Sequence, residues 1–88
     1  MAEMVIRNSD ILELELAVPE GHRHLRAAFR LADGTSLVLQ EATVANLVRA
    51  YVAILTSPTL RRVRLVGRRV EEADLKEGYS PWQLLEES

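Results

Sequence analysis

The sequence predicts an α+β domain in which a small, mostly antiparallel sheet of about four strands packs on one main helix. The predicted order is β-β-β-α-β, followed by a short C-terminal helix. Three observations indicate this fold: apolar and polar residues alternate in three segments between Ile11 and Gln40, the apolar spacing changes to three and four from Thr43, and alternation returns after Pro58.

The first two strands are predicted as a hairpin. In ILELELAV the residues that share the apolar face are Leu12, Leu14, Leu16 and Val18, and in HLRAAFRLA they are Leu25, Ala27, Phe29 and Leu31. Pro19, Glu20 and Gly21 provide the turn, because proline fixes φ and glycine tolerates positive φ. On the outer face we expect Glu13 and Glu15 to lie across from Arg26 and Arg30.

Asp33-Gly34 predicts a second hairpin, with a type I′ turn that requires positive φ at both central residues. The turn leads into TSLVLQ, a third strand whose Leu37 and Leu39 are expected to face the core. These two turns predict three antiparallel strands in a meander.

A helix is predicted from Thr43, which is a plausible N-cap, to about Leu55. Its apolar stripe consists of Val44, Leu47, Val48, Tyr51, Val52 and Leu55. Asn46, Arg49, Ala50 and Ala53 lie nearer the other side, which carries little charge and is therefore a candidate contact surface. Pro58 ends the helix, because the residue before a proline avoids the α region.

The stretch TLRRVRLVGRRV, residues 59–70, predicts a fourth strand in which Val63 and Leu65 share one face. Gly67 interrupts the alternation and suits a bulge or a bend. Further on, Ser80-Pro81-Trp82-Gln83 has the pattern of a capping box with proline at the first helical position. The C-terminal helix that it predicts carries Trp82 and Leu85.

Composition favours one folded domain that spans residues 1–88. Hydrophobic residues make up 48% of the chain and charged residues 27%, which is typical of a globular protein. No stretch reaches the roughly 18 apolar residues of a membrane span, and the N-terminal segment does not resemble a signal peptide. We therefore expect a cytoplasmic protein without a membrane partner.

The arginines of residues 59–70 are the first candidate site. In one interpretation Arg62, Arg64, Arg68 and Arg69 contact the phosphates of a polyanion such as nucleic acid. In the other, Arg62 and Arg64 form a solvated face that pairs with Glu13 and Glu15 or with the acidic segment from Glu71 onward. We favour the second interpretation, because the net charge is −2 and no aromatic residue is interleaved with the arginines.

Catalytic and metal sites have little support in the sequence. There is no cysteine, the four glycines are scattered singly, and no serine stands in a nucleophile-elbow pattern. His22 and His24 could share a metal, but zinc needs three or four protein ligands, so solvated histidines are the better interpretation. We predict no enzyme activity, no cofactor and no metal.

The segment GYSPWQLLEES places much of the large apolar area near the C-terminal end, in Tyr79, Trp82 and Leu85. These residues either pack on their own sheet or insert into a second subunit, and aromatic residues are common anchors of interfaces. The sequence therefore predicts a non-catalytic protein–protein interaction module that forms a homo-oligomer. Binding of nucleic acid or another polyanion through residues 61–69 is the alternative.

Overall fold

The computed structural model describes residues 2–87, except for the side chain of Glu72. It contains one α-helix, five β-strands and two short 3₁₀ turns, so the α+β class is confirmed. The strands are β1 Ile11–Ala17, β2 Arg26–Leu31, β3 Ser36–Gln40, β4 Leu65–Arg69 and β5 Trp82–Glu86; helix α1 is Glu41–Thr56, and the 3₁₀ turns are Asn8–Asp10 and Glu72–Asp74.

The chain divides into two compact units, one up to residue 45 and the other from residue 46 onward. The first contains β1, β2, β3 and the start of α1. The second contains the rest of α1 and the hairpin of β4 and β5. Their sheets are separate, with three and two strands, and all pairings within them are antiparallel. The prediction of one four-stranded sheet is therefore wrong, because β4 finds its partner in β5.

The predicted meander of β1, β2 and β3 is confirmed, with β2 in the centre. Leu14 pairs with Phe29, and Phe29 pairs with Leu37 on its other side, so one row of the apolar face crosses all three strands. The register of β1 shifts between Ile11 and Glu13, which marks a bulge at Leu12. Alternation was sufficient to predict this sheet because both connections are short hairpins.

The outer face of this sheet carries one of the two predicted charge pairs. Glu13 lies opposite Arg30, whose Nη2 donates to the Glu13 carboxylate at 3.3 Å. Glu15, however, lies opposite Ala28, and Arg26 lies opposite Ala17. The exposed Glu13–Arg30 pair contributes at most about 1 kcal/mol to folding.

The two turns of the meander rely on glycine in different ways. In the first, the His22 amide donates to the Pro19 carbonyl at 2.9 Å, and Gly21 has a φ of 81°. In the second, the Gly34 amide donates to Leu31 at 3.0 Å and only Gly34, with a φ of 90°, takes the left-handed region. The predicted type I′ turn is therefore wrong, and the loop is a type I turn followed by a glycine bulge.

Helix α1 is confirmed, but it begins two residues before the predicted cap. Glu41 is its first residue and directly succeeds β3, so Thr43 lies inside the first turn. Glu41 also accepts a hydrogen bond from His24 Nδ1 at 2.9 Å, which ties the start of the helix to the loop before β2. After the helix ends, the Ser57 hydroxyl accepts from the Leu60 amide at 3.0 Å and turns the chain.

The fourth strand lies further along the chain than predicted. Residues 60–64 are not in a strand, and β4 begins at Leu65. Pairing with β5 continues beyond β4 on both sides, since the Glu87 amide donates to Arg64 at 3.0 Å and the Val70 amide donates to Pro81 at 2.6 Å. Gly67 lies within the strand, opposite Leu84, and the register there has no bulge.

The predicted C-terminal helix is wrong, because Trp82–Glu86 is strand β5. The Ser80 hydroxyl does accept from an amide, but from Trp82 two residues later at 3.2 Å, as in a serine turn. Gln83 donates to the Ser80 carbonyl at 3.4 Å. The capping residues thus order a turn before a strand, and the pairing with β4 gives residues 82–86 their extended conformation.

Burial is low throughout the residues that the structure describes. Among these residues, the buried hydrophobic side chains are Ala27 and Leu31 on β2, with 3% and 7% of their surface exposed. Leu12, Leu14 and Leu16 on β1, and Val18 directly after it, each keep more than half of theirs exposed. The core therefore lies along the central strand, and most large apolar side chains remain accessible.

Candidate binding surfaces

Helix α1 presents an apolar stripe to solvent. Its members are Leu47, Val48, Tyr51, Val52 and Leu55, which are between 49% and 66% exposed. Their spacing of three and four residues places them on one side of the helix. In the predicted fold, where the sheet packs on the helix, the apolar stripe would be buried; the structure shows these five residues exposed and Val44, the sixth predicted member, half-buried.

The opposite side of α1 faces inward within the second unit. Asn46, Ala50 and Ala53 are half-buried, and together with Arg49 they line a cavity of about 210 Å³ with Leu60, Val63, Leu65 and Glu86. The small alanine side chains leave room for the segment that comes after the helix. The alanine-rich side, predicted as a contact surface, therefore faces residues of its own unit across this cavity.

The β4–β5 hairpin has two faces because residues that pair directly across an antiparallel ladder point to the same side. One face carries Leu65, Gly67 and Arg69 from β4 with Trp82, Leu84 and Glu86 from β5. The other carries Val66 and Arg68 with Gln83 and Leu85. Arg68 and Arg69 therefore lie on opposite faces.

Glu87 binds two of the candidate arginines. Its Oε1 lies 3.6 Å from Arg64 Nη1, and its Oε2 lies 3.3 Å from Arg68 Nη2. All three side chains are partly exposed, so the cluster is screened by water. Part of the predicted pairing with the acidic segment is thus present, through Glu87.

Trp82 lies on the face that carries Arg69. It pairs directly with Arg69, and its indole covers Gly67 two residues away on β4. A Cβ built on Gly67 would lie 2.6 Å from Cζ2 and 2.8 Å from Cε2 of Trp82, so the indole requires the missing side chain. Trp82 nevertheless remains 60% exposed.

This pairing places an aromatic side chain beside Arg69, which the linear sequence does not show. Thirteen positions separate Arg69 from Trp82, and the predicted C-terminal helix would have kept them apart. The segment WQLLEE offers no strand signal that could replace the capping pattern, because apolar and polar residues do not alternate through it: Leu84 and Leu85 are adjacent, and so are Glu86 and Glu87.

The remaining candidate residues do not form one cluster. Arg62 is exposed in the segment before β4, outside the paired residues of β4 and β5. Tyr79 and Leu85 are 61% and 41% exposed, but Leu85 points to the face opposite Trp82. The four predicted arginines therefore do not line a single strip.

The two histidines are exposed near the first turn, and His24 contacts Glu41. Within the described part of the chain, no group of three histidine or carboxylate side chains is arranged to hold a metal ion. A second cavity, of about 220 Å³, is mainly apolar and is lined by Met4, Val5, Ile6, Asp10, Leu31, Ala32 and Asp33. Both cavities are smaller than the roughly 300 Å³ of a typical ligand pocket.

Among residues 2–87, no helix combines the length and apolar character that crossing a membrane requires. No protein-family model, curated protein or solved structure matches the chain. The two candidate surfaces are the apolar stripe of α1 and the Trp82 face of the hairpin, and the case for each rests on its geometry alone.

Proposed function

We propose that the protein is a non-catalytic interaction module that associates with a second copy of itself through the apolar stripe of α1. The observation that supports this proposal is the exposure of Leu47, Val48, Tyr51, Val52 and Leu55 on one side of a four-turn helix. A contiguous apolar patch of this kind marks an interface more often than a solvated surface.

A second copy fits this stripe because the stripe carries no charge. Glu41 and Arg49 are the charged residues of α1, and neither belongs to the stripe. In a two-fold dimer the same patch meets itself, so a charge within the stripe would be buried against the apolar residues of the other copy. Antiparallel pairing about Tyr51 would bring Leu47 of one copy near Leu55 of the other.

The area of the stripe is sufficient for a small dimer interface. Side chains of these types, half exposed or more, present on the order of 100 Å² each. Five of them on each of two copies would remove about 1,000 Å² from water, which is the lower limit for a specific interface. Contacts beyond the stripe would add to this area.

A membrane surface suits the stripe less well. Helices that lie in a lipid interface carry lysine and arginine along their polar side, where they meet anionic headgroups. Arg49 is the single basic residue between Glu41 and Thr56, and its guanidinium donates to the Asn46 side chain. The second copy is therefore the occupant that the charge pattern supports.

Light scattering during size-exclusion chromatography tests the proposal. The wild-type chain should have a mass near twice 9.9 kDa, and Leu47→Glu or Leu55→Glu should reduce it to that of one chain, because each buries a carboxylate in the interface. Ala42→Glu is the matched control, since Ala42 is exposed on the same helix outside the stripe. A wild-type protein that stays monomeric at high concentration would refute the proposal.

The same measurement separates the stripe from the predicted interface of Tyr79, Trp82 and Leu85. If α1 forms the interface, Trp82→Ala should leave the mass near that of two chains. A monomeric Trp82→Ala variant, together with dimeric Leu47→Glu and Leu55→Glu variants, would place self-association on the β4–β5 hairpin instead.

A further inference from the structure

We propose that the β4–β5 hairpin binds single-stranded nucleic acid, with the Trp82 indole stacking on a base and Arg69 contacting the adjacent phosphate. Self-association through α1 does not provide this activity, which uses different residues on a different element. Three features of the hairpin support the proposal. The indole of Trp82 is held over Gly67, Arg69 lies beside it, and the surface offers few cations for binding a duplex.

Trp82 is fixed and exposed at the same time. Its indole lies over Gly67 so closely that a Cβ at that position would be 2.6 to 2.8 Å from three ring atoms. One side of the ring is therefore held by the β4 backbone, yet 60% of the residue remains accessible. An aromatic ring that is supported on one side and open on the other is the geometry on which unpaired bases stack.

Arg69 supplies a cation next to the ring. It pairs directly with Trp82 across the ladder, and such partners have Cβ atoms about 5 Å apart on the same face. No ion pair of the described side chains includes Arg69, whereas Arg64 and Arg68 both contact Glu87. The guanidinium of Arg69 can therefore form a paired hydrogen bond with a phosphate beside the stacked base.

The ligand should be single-stranded because stacking on Trp82 requires an unpaired base. In a duplex the faces of the bases are covered by their neighbours, and binding then depends on phosphate contacts alone. Those contacts are few here, since the net charge is −2 and Glu87 offsets two of the arginines. Arg61 and Arg62, exposed just before β4, would extend the contact with a flexible backbone.

Trp82 is the chain's single tryptophan, so its fluorescence reports on this site directly. Titration with a short oligothymidylate should quench the emission, and the affinity should fall as salt increases. The corresponding oligouridylate should act similarly, because stacking and phosphate contacts do not require DNA. A blunt duplex of the same length should not quench the emission.

Two variants test the roles of the residues. Arg69→Gln should weaken binding about tenfold and lower the slope of the salt dependence by about one contact. Arg26→Gln is the matched control, because Arg26 is an exposed strand arginine that pairs with Ala17 and Gln40 and has no aromatic partner. Trp82→Phe, measured with a labelled oligonucleotide, should retain most of the binding, whereas Trp82→Leu should lose about tenfold.

Three results would overturn the proposal. The first is an absence of quenching by either oligonucleotide at low salt. The second is equal quenching by the duplex, which would indicate non-specific charge attraction. The third is equal weakening by Arg26→Gln and Arg69→Gln. Repeating the titration with Leu55→Glu shows whether the site needs the dimer, and binding that persists in this variant supports a site independent of α1.

Discussion

The indole of Trp82 occupies the space above Gly67, although Trp82 pairs with Arg69 and Gly67 pairs with Leu84. This diagonal contact predicts that Gly67→Ala will destabilise the hairpin. The added methyl group would lie 2.6 Å from Cζ2 of Trp82, so the ring must move. Because Trp82 is 60% exposed, the ring can move toward solvent, and we expect the lost packing to cost about 1 kcal/mol or less, which chemical denaturation monitored by circular dichroism would measure.

A double-mutant cycle shows whether the contact with the indole causes this loss. In a Trp82→Leu background, Gly67→Ala should cost much less, because the leucine side chain does not reach across the ladder as the indole does. The same cost in both backgrounds would mean that the alanine disturbs the strand for another reason. The φ of Gly67 is not positive, so backbone strain is not that reason.

This hairpin also shows why part of the fold could not be predicted from the sequence. Local signals were sufficient for β1, β2 and β3, since each strand pairs with its neighbour in the chain across a short turn. The pairing of β4 with β5 spans a connection of twelve residues, 70–81, with no turn signal as strong as Asp33-Gly34. A capping pattern at Ser80 was stronger locally, and long-range pairing overrode it.

Which side of α1 faces inward could likewise not be predicted from the sequence. Both sides are apolar enough to pack, one through Leu47, Val48 and Leu55 and the other through Ala50 and Ala53. Periodicity identifies the two sides but not the partner of each. The contact surface proposed on α1 therefore lies on the side opposite the one that the sequence indicated.

Leu31 and Leu12 offer a direct test of where the core lies. Leu31 is 7% exposed and Leu12 is 62% exposed, so the same change to alanine should have very different effects. We expect Leu31→Ala to cost about 2 to 5 kcal/mol, because it removes buried methyl groups and leaves a cavity. Leu12→Ala should cost about 0.5 kcal/mol or less, as is usual at exposed positions.

The Leu31 and Leu12 comparison should be made in the Leu55→Glu background, where the proposed dimer is absent. Otherwise burial in an interface would add to the cost of either change. Similar costs in the monomeric background would show that Leu12 is covered and would contradict the exposure of β1.

The two ion pairs of Glu87 predict a second effect on the stability of the hairpin. Glu87→Gln should lower stability by about 1 kcal/mol or less, because its two contacts with Arg64 and Arg68 are partly exposed. The difference should disappear in concentrated salt, which screens such pairs. If the hairpin binds nucleic acid as proposed, the same change should also strengthen binding, since it removes a negative charge from the hairpin.

Glu86→Gln is the matched control for Glu87→Gln. It removes the same charge from the neighbouring position, but no ion pair of the described side chains includes Glu86. Equal effects of the two variants on stability would show that net charge, and not the contacts of Glu87, is responsible.

Asp33 predicts a dependence of stability on pH. The Thr35 amide donates to Asp33 Oδ1 at 2.8 Å, and this bond and the Thr35 side chain hold the pKa of Asp33 below its ordinary value of 3.8. A lowered pKa stabilises the fold above pH 3.8, and this contribution is lost as the pH falls through the folded-state value. The melting temperature of Asp33→Ala should therefore lie furthest below that of the wild type at neutral pH, and the gap should narrow under acid.

Asp33→Asn keeps an acceptor oxygen without a titrating group, so its melting temperature should stay above that of Asp33→Ala by a margin that does not change with pH. A gap between wild type and Asp33→Ala that is constant from neutral pH to below pH 3.8 would show that the ionised carboxylate does not stabilise this turn.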